Sequence, residues 1–271
     1  MKIERLESVA NPCVKKMAQL LQKKYRQESG DFLVEGLRAV EEAVVSARVK
    51  AVFYVQADDQ RSLKLLNMAE AKGASLYQTN EMVMTKLCDT VAPQGMVACV
   101  QQTICTMTQL AAQKLPGPVV VADRLQDPGN MGTLIRTADA VGAAGIILLQ
   151  GTVDVFSPKV VRSSMGSLFH VQLCGPVSET EMAAWCRKQG YRLAATTLKN
   201  SRSIYESDLT GKLALIIGNE ANGVSATLLQ QAEQQLHIPM PGRAESLNAA
   251  QAAGIILFES LRQRLGITKI S

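Results

Sequence analysis

Residues 238–258 read IPMPGRAESLNAAQAAGIILF, and this stretch decides how the chain completes its fold. The pattern predicts a short apolar strand, LHIPM, that ends at Pro241, and then a last helix from about Ser246 into Arg264. A helix that only covers a core carries bulky apolar residues from its first turn. Here Ser, Asn, Ala and Gly fill the first turns and the bulky residues begin at Ile255, so core packing alone does not explain the helix start.

Upstream of this stretch, apolar strands alternate with helices. The predicted strands are PVVVAD (118–123), GIILL (145–149), YRLAAT (191–196) and LALIIG (213–218), and the predicted helices cover about 129–141, 178–189 and 225–234. Strands that are apolar throughout are typical of a parallel sheet covered on both faces. The second half is therefore predicted to be an α/β domain with a mostly parallel sheet.

Three strands of this half lead into polar loops, and ligands of α/β sheets collect beyond the carboxyl ends of strands. The candidate ligand-binding residues are Asn130 and Arg136 in the first loop, Gly218, Asn219 and Glu220 in the second, and Ser246 and Asn248 in the third. In the first loop, Asp127-Pro128-Gly129 predicts a turn and Asn130 a helix cap. Each loop also has an ordinary interpretation, as a capped helix with an exposed arginine or as a surface acid.

Several common kinds of site are not supported. The chain contains neither G-x-G-x-x-G nor G-x-x-x-x-G-K-[ST], and its two histidines, His170 and His237, lie outside the three loops. The six cysteines include no C-x-x-C pair. We therefore expect reduced, mostly buried thiols and no metal site.

The first half also alternates strands and helices. Asn11-Pro12 predicts a helix start, strands are predicted at 32–36, 51–55 and 95–100, and helices up to about 47 and near 60–72. From 101 to 117 the alternation of strands and helices stops, apart from a short predicted helix in TQLAAQK. The predicted domains are therefore a small α/β domain over 1–105, a linker over 106–117 and a second domain over 118–271.

Composition and charge set the class of protein. Of the 271 residues, 47% are hydrophobic and 20% charged, which is typical of a globular protein with two cores. Residues 1–30 hold seven Lys or Arg against three Glu, which suits a polyanion or a solvated helix face. The start, MKIERLES, does not look like a signal peptide, and no apolar run approaches the roughly 20 residues that span a bilayer. A cytoplasmic location without membrane contact is expected.

The three loops share the order N-x-G-x-x-x-R, G-N-E-x-x-G and I-P-M-x-G-x-x-x-S-L-N-x-A, each after an apolar strand. Together they resemble the motifs of the TrmH (SpoU) family of RNA 2′-O-methyltransferases in the SPOUT superfamily, over residues 118–264. The region before them is similar to the ribosomal-protein-like substrate-binding domain of many members, including NP…K…EGLRAVEEAV. The resemblance implies a C-terminal trefoil knot, a homodimer, S-adenosyl-L-methionine as cofactor and RNA as substrate.

The resemblance also assigns residues. Those implied to bind the cofactor are Thr197, Gly218, Asn219, Ile238, Met240 and Leu247, and those implied to form the catalytic set are Asn130, Arg136, Glu220, Ser246 and Asn248. In this family the I-P-M-x-G loop wraps the cofactor, and the small residues after it let the last helix pack closely. A guanidinium normally stays charged, so we expect Arg136 to act electrostatically while Ser246 or water relays the proton.

The function implied is methyl transfer to a ribose 2′-hydroxyl of ribosomal RNA, with the large subunit favoured and transfer RNA as the other candidate. A non-catalytic RNA-binding or ribosome assembly protein that retains the fold is the alternative, and an α/β enzyme for another adenine-containing ligand is a third. Binding of S-adenosylmethionine separates the first from the third, and methyl transfer separates the first from the second.

Overall fold

The computed structural model describes residues 3–113 and 115–267. The chain divides into two compact units, of which the first combines residues 1–103 with 154–170 and the second combines 104–153 with 171–271. No described helix is both long enough and apolar enough to cross a membrane.

The described residues form twelve strands and eleven α-helices. The strands are β1 (Ile3–Leu6), β2 (Asp31–Glu35), β3 (Val49–Tyr54), β4 (Ser75–Thr79), β5 (Met96–Gln101), β6 (Val119–Ala122), β7 (Gly145–Leu149), β8 (Leu173–Val177), β9 (Arg192–Thr196), β10 (Arg202–Ser203), β11 (Leu213–Ile217) and β12 (Gln234–His237). The helices are α1 (Pro12–Gln19), α2 (Lys23–Ser29), α3 (Leu37–Ser46), α4 (Gln60–Ala71), α5 (Glu81–Leu87), α6 (Met107–Ala112), α7 (Pro128–Ala140), α8 (Pro158–Ser163), α9 (Glu179–Gln189), α10 (Ala226–Gln231) and α11 (Ala249–Arg264).

The first unit is built on a five-stranded sheet in the order β1-β4-β3-β5-β2. Pairings β1–β4 and β3–β4 are parallel, whereas β5 runs antiparallel to both β2 and β3. The predicted helix start at Asn11 is confirmed: the Asn11 side chain accepts a hydrogen bond from the backbone N–H of Cys13, and Pro12 occupies the first helical position. Buried Phe53 and Val97 lie in the core beneath this helix layer.

Residues 154–170 pack with the first unit although they follow β7 of the second. Arg26, almost fully buried, donates from Nε and Nη2 to Asp154 at 3.0 and 2.7 Å. The ring of Phe32 on β2 lies 4.8 Å from that of Phe156, measured between ring centroids. This segment therefore completes the core and the ion pairing of the first unit.

The second unit is built on a seven-stranded sheet in the order β10-β12-β9-β11-β6-β7-β8, in which every described pairing is parallel. Strands β6, β7 and β11 are buried throughout, which accounts for their unbroken apolar sequences. The predicted mixed α/β fold with a mostly parallel second sheet is confirmed. Since the strands are parallel, the loops after β6, β11 and β12 emerge at one edge of the sheet.

Two predicted boundaries change at the end of the chain. The strand predicted as LHIPM ends at His237, because Pro239 cannot donate a ladder hydrogen bond and the chain turns away before it. The last helix begins at Ala249, with Asn248 as its cap, and packs against α7. Residues 238–248 form a loop without helix or strand, longer than predicted.

Candidate active site

The first loop connects β6 to α7. The carboxylate of Asp127 caps α7 by accepting the backbone N–H of Asn130 at 2.8 Å, and Pro128 occupies a first-turn position. The prediction that Asn130 caps this helix is therefore wrong, because Asp followed by Pro starts the helix three residues earlier. Asn130 lies inside the first turn, where it is buried and uses its side chain for tertiary contacts.

The second loop follows β11 and closes on itself. Asn219 and Gly223 exchange backbone hydrogen bonds of 3.1 and 2.8 Å, and the side-chain oxygen of Asn219 accepts the N–H of Asn222 at 3.0 Å. Gly218 is required at the entrance, since a Cβ there would lie 2.1 Å from the carbonyl carbon of Gly223. This compact turn presents the Glu220 side chain from its middle.

The third loop covers residues 238–248. Its last residue, Asn248, caps α11: the side-chain oxygen accepts the N–H groups of Ala250 and Gln251 at 2.9 and 3.3 Å. The side-chain nitrogen of Asn248 remains as a donor and points away from the helix it caps. One residue thus serves both the helix and the site.

A chain of side-chain hydrogen bonds joins the three loops. Asn130 Nδ2 donates to Glu220 Oε1 at 2.9 Å, and Asn248 Nδ2 donates to Asn130 Oδ1 at 2.7 Å. Glu220 also accepts the backbone N–H groups of Gln126 and Asp127, each at 3.1 Å. The structure therefore brings three of the five predicted catalytic residues into direct contact.

These hydrogen bonds offset the effect of burial on the pKa of the Glu220 carboxyl. Partial burial raises the pKa of its carboxyl, but the hydrogen bonds from Asn130 and from the backbone of Gln126 and Asp127 outweigh burial, so the pKa lies below its ordinary value. Glu220 is consequently ionised at neutral pH. It orients the amide of Asn130 so that the amide oxygen faces Asn248.

The remaining two predicted catalytic residues, Arg136 and Ser246, are exposed and lie outside this chain of hydrogen bonds. Arg136 is on α7, six residues after Asn130, or about 9 Å further along the helix axis. Among the described residues, neither side chain has a hydrogen-bond or ion-pair partner. Both are open to an incoming molecule.

The predicted cofactor residues lie at the same edge of the sheet. Ile238 and Met240 are half-buried and Leu247 is exposed, so apolar surface is available along the third loop. The backbone of residues 239–247 makes no hydrogen bond to the backbone of another described residue. Unused backbone donors and acceptors beside apolar side chains suit an adenine ring, whose edge carries both kinds of polar atom. This loop is therefore the candidate site for the predicted cofactor, S-adenosylmethionine.

Thr197 follows β9 at the neighbouring position of the sheet. Its backbone N–H donates to the carbonyl of Leu236 at 2.9 Å, and its side-chain oxygen accepts the N–H of Lys199 at 3.3 Å. The loop after β9 is also tied to β12 by a 3.0 Å hydrogen bond between Ser201 Oγ and His237 Nδ1. Thr197 is therefore held next to the start of the third loop.

Sequence reasoning missed polar residues that tie the first two loops together. Asp123, fully buried, accepts hydrogen bonds from the Arg124 guanidinium and from the N–H of Ser225. Gln126 supplies a backbone donor to Glu220. The sequence does contain one signal for these contacts. Asp123 directly follows the apolar strand VVVA, and a charged residue that is buried at such a position needs a hydrogen-bond or ion-pair partner.

The six cysteines are free, and four of them are buried. Burial raises the pKa of Cys99 and of Cys186 to about 12, so these thiols stay protonated. Within the described ranges, no three His, Cys, Asp or Glu side chains gather as a metal site.

These residues are better suited to orienting a polar substrate and stabilising negative charge than to removing a proton as a general base. Glu220 is a weak base, Asn130 and Asn248 are neutral amides, and Arg136 carries an accessible cation. Such a set can fix a polar substrate and stabilise a developing negative charge.

Comparison with known proteins agrees with this geometry. Residues 117–258 match the SpoU rRNA Methylase family, and residues 11–98 match the MRM3-like substrate binding domain. The chain is 35% identical to the 23S rRNA (guanosine(2553)-2'-O)-methyltransferase RlmP of Bacillus subtilis (strain 168), over 94% of this chain and 98% of that protein. It is 33% identical to the 23S rRNA (uridine(2479)-2'-O)-methyltransferase of Streptomyces viridochromogenes, over 89% of this chain and 85% of that protein.

Solved structures are similar over nearly the whole chain. The AdoMet bound rRNA methyltransferase from Sinorhizobium meliloti is 34% identical with a TM-score of 0.88, covering 96% of this chain and 98% of that chain. The SpoU methyltransferase AviRb from Streptomyces viridochromogenes in complex with AdoMet is 31% identical with a TM-score of 0.86, covering 94% and 98%. The resemblance predicted from the three loop motifs is confirmed, and the chain belongs to the SpoU rRNA methylase family.

Proposed function

We propose that this protein transfers a methyl group from S-adenosylmethionine to the 2′-hydroxyl of a ribose in large-subunit ribosomal RNA. The observation that carries the proposal is the hydrogen-bonded contact of Glu220, Asn130 and Asn248, one residue from each loop motif. The relatives from Bacillus subtilis and Streptomyces viridochromogenes, both named as 23S rRNA 2'-O-methyltransferases, support the choice of RNA.

The third loop is proposed to bind the cofactor, which when bound supplies an electrophilic methyl group on its sulfonium. Ile238, Met240 and Leu247 give this loop apolar contacts, and its unpaired backbone groups can bind the adenine edge. In the second loop, Gly218 allows the close approach of Gly223, and the Asn219 side chain stabilises the turn by accepting the N–H of Asn222. Thr197 lies beside the loop start.

Arg136 is proposed to stabilise the substrate electrostatically. A ribose hydroxyl is a weak nucleophile until its proton is drawn away, and the guanidinium stays charged. The exposed Arg136 side chain can therefore bind an RNA phosphate or the developing alkoxide, while Ser246 or water passes the hydroxyl proton on to bulk solvent. Well-oriented groups can contribute roughly 7–11 kcal/mol to such a reaction.

The first unit is proposed to bind the RNA. The match of residues 11–98 to a substrate binding domain supports this assignment, as does the basic segment over residues 1–30. The predicted domain limits of 1–105 and 118–271 stay proposals. So does the cytoplasmic location.

A homodimer and a trefoil knot are part of the same proposal. Ile255 and Phe258 on α11 are 38% and 52% exposed, three residues apart on one helix face, and suit a second copy of the chain. Strand β12 lies in the sheet between β9 and β10, both of which precede it, and this insertion supports a knotted path.

The test is to map 2′-O-methyl marks by mass spectrometry in ribosomal and transfer RNA from cells with and without the protein. We expect one large-subunit mark to disappear and to return with the wild-type chain but not with Arg136→Ala. Persistence of every mark, together with no methyl transfer by the purified protein, would argue for the non-catalytic RNA-binding role. A missing mark in transfer RNA alone would correct the substrate.

A further inference from the structure

Asp123 is a fully buried carboxylate at the carboxyl end of β6, outside the residues assigned so far to catalysis or cofactor binding. It accepts hydrogen bonds from Arg124 Nε at 2.7 Å, from Arg124 Nη2 at 3.0 Å and from the N–H of Ser225 at 2.9 Å. Burying a charge is costly unless it is paired and hydrogen-bonded, and an apolar residue would fill the same core position. The carboxylate therefore has a role beyond packing.

Its partner Arg124 has a backbone conformation that few side chains adopt. The φ angle of Arg124 is 55°, in the left-handed region, and its side chain packs on Gly151, where a Cβ would lie 3.3 Å from Arg124 Cγ. In this conformation the Arg124 carbonyl accepts a hydrogen bond from Asn219 Nδ2 at 2.9 Å. The bidentate pair with Asp123 thus holds Arg124, whose carbonyl binds Asn219 at the start of the second loop.

The two loops consequently bind each other in both directions. The first loop holds the second at its two ends, through Arg124 to Asn219 and through Asp123 to Ser225. From between those ends, the second loop returns hydrogen bonds through Glu220 to the first. We call this set of contacts, made by Asp123, Arg124, Asn219, Glu220 and Ser225, the loop clasp.

We propose that Asp123 is a positioning residue for methyl transfer, acting through the loop clasp to fix Glu220 and, through Glu220, the amides of Asn130 and Asn248. The proposal rests on the function proposed above. Asp123 is fully buried, so it acts through the residues that it holds. Its contribution is to keep the polar set aligned.

The variant to test is Asp123→Asn in the full chain. Asn retains an oxygen for the Ser225 N–H but places its NH2 group against the donors of Arg124, so the pair separates. We expect kcat for RNA methylation to fall about tenfold or more, since small displacements of reacting groups are costly. The Kd for S-adenosylmethionine should change less than about threefold, because the apolar residues proposed to contact the cofactor, Ile238, Met240 and Leu247, are not part of the loop clasp. The double variant Asp123→Asn/Arg124→Gln, which restores a neutral hydrogen-bonded pair, should recover part of kcat.

A matched control is Glu259→Gln. Glu259 is also a buried carboxylate paired with an arginine, accepting from Arg262 Nε and Nη2, both at 2.8 Å, but it lies in the last turns of α11. Its variant should keep kcat within about twofold while losing comparable stability. Equal losses of kcat in Asp123→Asn and Glu259→Gln would overturn the proposal.

Amide hydrogen exchange supplies a readout that does not depend on activity. In Asp123→Asn, peptides covering 124–130 and 218–226 should exchange faster than in the wild type, and in Glu259→Gln they should not. Unchanged exchange in both loops would overturn the proposal, as would faster exchange with an unchanged kcat. If the wild type bound S-adenosylmethionine but methylated no RNA, the proposed function would fail, and exchange would still decide whether Asp123 holds the loops.

Discussion

The hydrogen bonds around Glu220 orient its carboxylate and lower its pKa. Glu220 therefore positions the Asn130 amide and is a poor proton acceptor. A general base that works near neutral pH needs a pKa close to that pH, whereas the hydrogen bonds to Glu220 lower its pKa. The proton of the ribose hydroxyl must therefore leave by another route. In the proposed mechanism that route runs through Ser246 or water, and the exposed Arg136 stabilises the developing charge.

Two substitutions of Arg136 distinguish the effect of its positive charge from that of its planar guanidinium. We expect Arg136→Ala to lower kcat by about 100-fold or more, because one donor to a developing anion is removed, while binding of S-adenosylmethionine is retained. Arg136→Lys keeps the charge but not the planar fork, so an intermediate kcat is expected. Steady-state methyl transfer and calorimetric binding check both results. Arg187→Ala, at an exposed arginine of α9, is the control, and a similar loss there would remove the special role of Arg136.

The lowered pKa of Glu220 should appear as acid sensitivity. Its folded pKa lies below the unfolded value of about 4.3, so the stabilisation is fully present above that value and is lost as pH falls through the folded pKa. Scanning calorimetry should show a Tm difference between wild type and Glu220→Gln that is constant from about pH 7 to 5 and shrinks below about pH 4. Glu206→Gln is the control at an exposed carboxylate. A difference that persists unchanged at about pH 3 would contradict the assignment.

Among the elements, α11 shows how one side chain can serve stability and site geometry. Asn248 caps the helix through its oxygen and donates to Asn130 through its nitrogen. Asn248→Asp keeps the cap but loses the donor, whereas Asn248→Ala loses both. We expect Asn248→Asp to retain Tm and lose most of kcat, and Asn248→Ala to lose about 1 kcal/mol of stability as well.

Thermal unfolding and kinetics on the same preparations separate these two effects. Ser178→Ala removes the cap of α9, which is part of a capping box, and should lower Tm by a similar amount with kcat retained. If Asn248→Asp methylated RNA at the wild-type rate, the hydrogen bond to Asn130 would not contribute to the reaction.

Local sequence patterns predicted many elements, but they did not predict the tertiary contacts of the site. The apolar runs of β6, β7 and β11 and the start of α1 followed from period and capping. The short strand β1 was missed because three of its four residues are exposed, and β8 because Gly175-Pro176 resembles a turn. That Asn130, Glu220 and Asn248 belong together followed from the family motifs. Their hydrogen bonds span 90 and 118 residues, beyond the reach of any local pattern.

At the scale of the whole molecule, the first unit depends on residues that lie far along the chain. A truncated chain that begins at residue 104 would keep residues 154–170 but remove their partners Arg26 and Phe32. We expect it to melt earlier than the full chain and to bind the dye ANS, because Asp154 and Phe156 become exposed. Phe156→Ser in the truncated chain should reduce dye binding. A truncated chain with the full-length Tm and no dye binding would contradict this expectation.

The proposed dimer makes a second prediction at this scale. Light scattering should give twice the 29.3 kDa of one chain, and Phe258→Glu should halve that mass by placing a charge on an apolar contact. Val45→Glu, at an exposed apolar residue of α3 in the other unit, should leave the mass unchanged. A wild-type mass equal to one chain in dilute solution would contradict the dimer.

The position of residues 154–170 also constrains when the first unit can fold during translation. A ribosome that adds about 5–20 residues per second needs several seconds to pass from residue 103 to residue 170, and during that time β2 lacks the segment that covers it. The strands β6 and β7 emerge within the same interval, before the N-terminal core is complete. The first unit therefore cannot complete its core until residues 104–153 of the second unit have also been made. Synonymous changes that slow decoding between 104 and 153 would prolong exposure of Phe32 and increase demand for chaperones.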